Sequence, residues 1–188
     1  MIKELILKNR SYRRFVEKQR IQPRQLKEWI DLARMSASAR NAQSLKYVLV
    51  TEEADCAVLF PLLAWAGYLK DWQGPVQGER PAAYLIMLND RQIAENYYCD
   101  HGIAAQSILL GAVEAGYGGC IIASVNRKRL SELFRLDERF EVIQVLAFGM
   151  PAEQVVLEEI QNDDYKYWRD EKGVHHVPKR SLDELIIS

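Results

Sequence analysis

Apolar residues recur at helical spacing at Ile2, Leu5 and Ile6, and the pattern stops at Asn9, so the first eight residues read as a short amphipathic helix. Pro23 suits the first turn of a second helix, in which Leu26, Trp29, Ile30 and Ala33 share one face and which runs to about Met35. The period then changes. YVLVT at 47–51 and AAYLIML at 82–88 are short apolar runs rich in branched and aromatic residues, the pattern of buried strands; between them lies a stretch rich in aromatics, Gly and Pro. From about Tyr97 to Ala115 almost every position is apolar, with Ile103, Ala104, Leu109, Leu110 and Val113 marked for burial and Gly116 as the stop. A helix apolar on nearly every face is buried on nearly every face, which in a chain this short points to a subunit interface as well as a core. CIIASV at 120–125 reads as a third strand, Arg127 to Phe134 as a helix capped by Asn126, and EVIQVLAFG at 141–149 as a fourth strand ended by Pro151. From about Glu153 to Ser188 the chain is polar and aromatic with little periodicity, as expected of a segment that lies along a partner subunit.

Composition narrows the class. With 188 residues, no internal repeat and no linker, a single domain spanning 1–188 is expected. Apolar residues make up 48% and charged ones 27%, which is ordinary for a globular protein and unlike a disordered one. The net charge of -1 argues against a nucleic-acid binder or a membrane-surface protein, both of which carry a basic excess. MIKELILKNR is too charged for a secretory leader, and no apolar run approaches the roughly 20 residues that span a bilayer, so a soluble, cytoplasmic protein is expected. Cys56, Cys99 and Cys120 form neither a disulfide framework nor a metal motif, and His101, His175 and His176 have no zinc spacing with them. Any cofactor is therefore expected to be organic, with no metal site.

Three places could carry chemistry. Arg10, Ser11, Arg13 and Arg14 crowd guanidiniums into NRSYRRF in a neutral chain; they read either as a small-anion site, by bidentate forks and a hydroxyl donor, or as a solvated face with ion pairs. In SASARNAQSLKY, Asn41 and Gln43 each offer a donor and an acceptor, which could read the edge of a flat heterocycle or serve an ordinary turn. In EAGYGGCIIAS, Gly116, Gly118 and Gly119 could admit a ligand close to the backbone, or cap a helix before a tight turn. The order helix, turn, strand is the reverse of the dinucleotide fingerprint, so a Rossmann site is disfavoured.

Taken in order, the motifs R-S-x-R from Arg10, S-A-x-N-x-Q from Ser38, D-x-G-x-x-x-Q-x-x-x-L from Asp100, G-x-G-G-C from Gly116, F-G-x-P from Phe148 and K-R-x-L-x-E-L from Lys179 resemble the nitroreductase family of flavin enzymes, over Arg10 to Leu185. The resemblance implies an α+β fold with a central, mostly antiparallel sheet flanked by helices, in an intertwined homodimer with a swapped C-terminal tail and FMN at the interface. It makes Arg10, Ser11 and Arg13 ligands of the FMN phosphate, joined by Lys179 or Arg180. Asn41 and Gln43 would bond the polar edge of the ring, and the stretch Ile121, Ile122, Ala123 and Ser124 would lie against it. Asn9 stands where many members carry another Arg, Ser44 replaces a frequent Pro, and Ala123 and Ser124 replace an acid and a Gly found in some members.

The chemistry so implied is reduction of a small planar electron acceptor, nitroaromatic or quinone-like, with NADH or NADPH as reductant and ping-pong kinetics. A non-catalytic flavin storage or sensor protein of the same fold would carry the same residues. No catalytic acid or base is assigned: His101 on its apolar helix reads as a packed residue. WAGYLKDWQGP at 65–75 is either a substrate-facing lid, through Trp65, Tyr68 and Trp72, or a packing segment.

Overall fold

A computed structural model describes residues 1–187. Helix α1 (Ile2–Lys8) ends at Asn9, and an extended arm leads to α2 (Pro23–Met35), which starts at its proline as the sequence predicts. Strand β1 (Leu45–Val50), helix α3 (Glu53–Leu59), strand β2 (Ala83–Asp90), helix α4 (Asp100–Glu114) and strand β3 (Gly118–Ile122) follow. Helix α5 (Arg127–Leu133) and strand β4 (Phe140–Gly149) complete the main body; β5 (Val155–Glu159), β6 (Trp168–Arg169), β7 (His175–Lys179) and α6 (Leu182–Leu185) form the tail. Asn126 caps α5 as expected, its side-chain oxygen accepting from the Arg129 amide.

The main sheet has the order β1-β2-β4-β3 and every pairing is antiparallel, so the α+β architecture with flanking helices is present as the resemblance implied. Of its two central strands, β2 is buried along its length and β4 from Val142 to Gly149, which explains why both read as continuous apolar runs instead of alternating ones. Leu85 and Met87 face α2 and α4, together with Trp29, Ile108 and Phe148. Tyr84, Ile86 and Leu88 face the opposite layer with Leu59, Cys120 and Leu130. The register shifts between Met87 and Leu88, opposite Gln144, and this bulge puts Ile143 and Leu146 on one face although they are three residues apart. Gly111 lets α4 approach α2, since a Cβ there would run into Leu32.

Several boundaries differ from the sequence reading. Helix α4 starts at Asp100 and not near Tyr97, because Tyr98 sits in the left-handed region at φ 46° and breaks the run. Strand β3 begins at Gly118 and ends at Ile122, so Ala123 and Ser124 lie beyond it. Helix α3 was not expected, having only Cys56 and Leu59 buried. The tail is regular where no periodicity announced it: β7 pairs parallel with β5 and antiparallel with β6. It folds back onto its own chain, where Arg169 meets Glu153 and lies over the Trp72 ring. No helix among the described residues is long and apolar enough to cross a membrane.

Candidate functional site

The arm Arg10–Phe15 is anchored at its far end by Phe15, which is fully buried and packs on Gly149; a Cβ at Gly149 would sit 2.7 Å from the Phe15 Cβ. Ser11 bridges to Gly119 and Phe15 to Pro151, which lays the arm against the end of β3. Gly118 is filled by the Tyr12 ring and Gly119 by the Ala147 carbonyl. These two glycines therefore admit parts of their own chain and not a ligand, while Gly116, at φ 84°, ends α4.

The arginines divide into two kinds. The Arg14 Nε donates to Glu79 at 2.7 Å, and the Arg169 Nη2 to Glu153 at 2.9 Å. Glu153 also accepts the backbone amides of Arg13 at 2.5 Å and Arg14 at 3.1 Å, so its carboxylate is fully engaged. Arg10 donates from Nη2 only to the Ile6 carbonyl, and its buried Nε has no partner. Arg13 bonds from Nη1 to the Ser11 carbonyl at 3.1 Å and to His175 Nε2 at 3.2 Å, with the Tyr167 ring 4.7 Å from its centre. Neither Arg10 nor Arg13 has an ion pair with a carboxylate of the described residues. Two positive charges thus stand uncompensated beside a hydroxyl residue. Burial, then the charges of Arg13, Arg169 and His176, pushes the His175 imidazole down to about 4, so it is neutral near pH 7.

Arg13 shares a cavity of about 180 Å³ with Trp65, Ile121, Ala123, Ser124 and Tyr167. Ile122 turns its side chain into the core, at 5% exposure, while Ile121 on the other face is 45% exposed. Cys120, also in the lining, is no nucleophile: burial pushes its thiol up to about 12. The 65–75 segment both lines and packs. Trp65 borders the cavity but is nine-tenths buried against Gly74, Tyr68 lies 4.9 Å from Tyr167, and Trp72 supports Arg169.

Asn41 and Gln43 stand on a strained turn. Arg40, Asn41 and Gln43 all have φ near 54° (54°, 54° and 53°), each costing roughly 1 kcal/mol for a residue other than glycine. Such a turn persists only where its surroundings hold it, and Asp100 does so. Its carboxylate, 4% exposed, accepts the Ser38 hydroxyl at 2.6 Å and the Ala39 amide at 2.8 Å; the Ser38 oxygen in turn accepts the Gln43 amide at 3.0 Å. The Gln43 side-chain amide donates to Asn41 Oδ1 at 3.1 Å. Gln43 borders a second, largely apolar cavity of about 280 Å³ with Ile30, Ala33, Tyr47 and Ala104. Burial, with Asp100 nearby, pushes the Tyr47 hydroxyl up to about 12, so it is a donor at neutral pH.

One chain therefore brings Arg13 together with Ile121, Ala123 and Ser124, with Arg10 and Ser11 on the same arm and Ser11 bridged to Gly119, while Gln43 borders a cavity with no lining residue in common and Asn41 is bonded to Gln43. Lys179 and Arg180 are at the far end of β7 from His175, about 13 Å along the strand, and Arg180 is bonded to Asp163 at 2.7 Å. His101 is half-buried and stacks edge-on with Tyr97 at 5.1 Å, but its buried Nδ1 has no hydrogen-bond partner among the described residues. Among the described residues no cluster could hold a metal ion. Asp100 was visible only as one letter of a motif; its link to Ser38 spans 62 residues and has no local signal.

Against known proteins, the sequence matches the model of the nitroreductase family over residues 6–150. No curated protein matches it. The fold is similar to that of a nitroreductase family protein from Streptococcus pneumoniae TIGR4, at 17% identity over all of both chains and a TM-score of 0.70. It is similar to an FMN-dependent nitroreductase from Clostridium difficile R20291, at 18% identity over 91% of this chain and 99% of that one, TM-score 0.67. A protein from Exiguobacterium sibiricum 255-15 solved in complex with FMN shares 17% identity over 90% and 97% of the two chains, TM-score 0.70.

Proposed function

The chain belongs to the nitroreductase family, and from that premise we propose that it is an FMN-dependent oxidoreductase that draws on NADH or NADPH to reduce a small planar acceptor, nitroaromatic or quinone-like. The observation that carries the reading is the pair Arg10 and Arg13, two guanidiniums without a carboxylate partner beside Ser11. Guanidinium forks bind phosphate oxygens bidentately, and the buried, unpartnered Arg10 Nε is a donor in need of such an acceptor. The residues present fit a phosphorylated, flat ligand.

In this reading Arg10, Ser11 and Arg13 hold the phosphate, and Ile121, Ala123 and Ser124 supply the surface beside the ring. Asn41 and Gln43 present amide donors and acceptors to the ring edge, and Asp100 keeps their turn in shape. FMN, when bound, supplies hydride acceptance from the nicotinamide and delivery of reducing equivalents to the acceptor. The separation of the two cavities in one chain favours a homodimer, in which the arm of one copy faces the turn of the other. The partly exposed Ile103 on α4 and the exposed Ile2, Ile6 and Leu7 on α1 supply an apolar face for such pairing. Lys179 and Arg180, at the far end of β7 from Arg13 of their own chain, would join the phosphate of a second copy while the rest of the tail stays on its own chain.

The test is a visible spectrum of the purified protein, identification of the released flavin, and anaerobic titration with NADH and then NADPH. Bound FMN that bleaches supports the oxidoreductase. Bound FMN that stays oxidised favours a flavin storage or sensor protein. A colourless protein that takes up no added FMN rejects both.

A further inference from the structure

We infer that His175 and Tyr167 of the tail are positioning residues that aim Arg13 at the flavin phosphate, a role that rests on the flavin reading above. The Arg13 guanidinium is held on one side only. Both of its bonds inside the chain leave from Nη1, to the Ser11 carbonyl and to His175 Nε2, and the Tyr167 ring supports its face. The Nε and Nη2 donors, which form the edge that grips an oxyanion bidentately, make no hydrogen bond to the described residues.

The chemical nature of the two holders matters as much as their place. A guanidinium can only donate, so His175 Nε2 must accept, which puts the imidazole proton on Nδ1. Imidazole and phenol fix the direction of Arg13 without bringing a negative charge to it. A carboxylate at the same place would neutralise Arg13 and compete with a phosphate. The neighbouring carboxylate that could have done so, Glu153, is already taken by Arg169 and two backbone amides.

The holders are themselves fixed. His175 is 1% exposed, opens β7, pairs with Val155 and donates its amide to the Gln154 carbonyl at 2.9 Å. Tyr167 lies 5.2 Å from the His175 ring and 4.9 Å from Tyr68. The arrangement joins the tail to the arm across 162 residues.

Riboflavin lacks the phosphate, so it separates phosphate handling from ring binding. Dissociation constants of FMN and riboflavin are measured by fluorescence quenching for the wild-type protein and for His175→Leu, His175→Gln and Tyr167→Leu. His175→Leu is expected to weaken FMN about tenfold with riboflavin unchanged, and His175→Gln, which keeps an acceptor, to restore most of the loss. Tyr167→Leu, at a half-buried position, is expected to lower FMN affinity several-fold and selectively; it decides the matter if His175→Leu does not fold. Variants that keep the wild-type ratio of FMN to riboflavin affinity overturn the role of His175 and Tyr167 alone. Wild-type protein that takes up neither flavin overturns the flavin reading itself.

Discussion

Asp100 and Ser38 meet at 2.6 Å, hydroxyl to carboxylate, and through this contact the first residue of α4 holds a turn 62 positions away in a conformation its own residues disfavour. Asp100→Ala removes the acceptor for both Ser38 and Ala39. Hydrogen bonds to a charged group contribute about 1.5–3 kcal/mol, so a loss of roughly 2–3 kcal/mol in unfolding free energy is expected, with Asp100→Asn about half as damaging. Urea denaturation with an unchanged m-value checks it. A variant as stable as the wild type would mean that the turn holds itself.

Arg10→Gln and Arg13→Gln each delete a charge that no carboxylate in the described chain balances. Both should fold normally, since no ion pair is broken, and each should weaken FMN by ten- to a hundredfold. Arg14→Gln should behave in the opposite way. It breaks the pair with Glu79 and should cost stability with little change in FMN affinity, as read by melting temperature and flavin titration in parallel.

Acid should destabilise the fold through His175. Its proton is bound only near pH 4 in the folded chain, against an ordinary value of 6.5, because it is buried and faces Arg13, Arg169 and His176. Between those values the unfolded chain binds more protons, so stability rises with pH there. The contribution is complete above about pH 6.5 and is lost as the pH falls through the window towards 4. Glu79, Glu158 and Asp170, all held below the usual carboxylate range, add losses of the same sign at lower pH. Unfolding midpoints of wild type and His175→Gln from pH 7.5 to 4.5 should converge as the pH drops.

Thiol labelling should find one fast cysteine in the native protein. Cys56 and Cys120 are buried and both thiols are pushed up, whereas Cys99 is exposed ahead of α4. Ellman's reagent should titrate one thiol before denaturant and three after. Three fast thiols in native buffer would contradict the burial of β3.

The parts legible in the sequence were those with a local cause. Leu26, Trp29, Ile30 and Ala33 marked α2 by period, Pro23 its start, and Asn126 the cap of α5. Strands β2 and β4 were visible because both faces are covered, which leaves an apolar run. Helix α3 was hidden because only Cys56 and Leu59 turn inward, too few to set a period. Strand β6 has two residues, Trp168 and Arg169, and its pairing with His175 and His176 is a tertiary fact without a local pattern. At the candidate site the arginines were conspicuous but their pairing was not. That Glu79 takes Arg14 and Glu153 takes Arg169, leaving Arg10 and Arg13 free, depends on contacts 65 and 16 residues apart.

The arm that carries Arg10 and Arg13 rests on Gly119, Met150, Pro151 and Glu153, the last of them 140 residues downstream. During synthesis the arm is made long before Met150, Pro151 and Glu153, the last of them 140 residues later, so it waits for part of its seat. Contacts of such sequence separation carry a large loop-closure cost before they return anything, so the anion site should assemble in a late, slow kinetic phase. A chain cut short before Glu153 would expose the arginine-rich arm as a loose basic peptide, with no seat on the fold it was meant to complete.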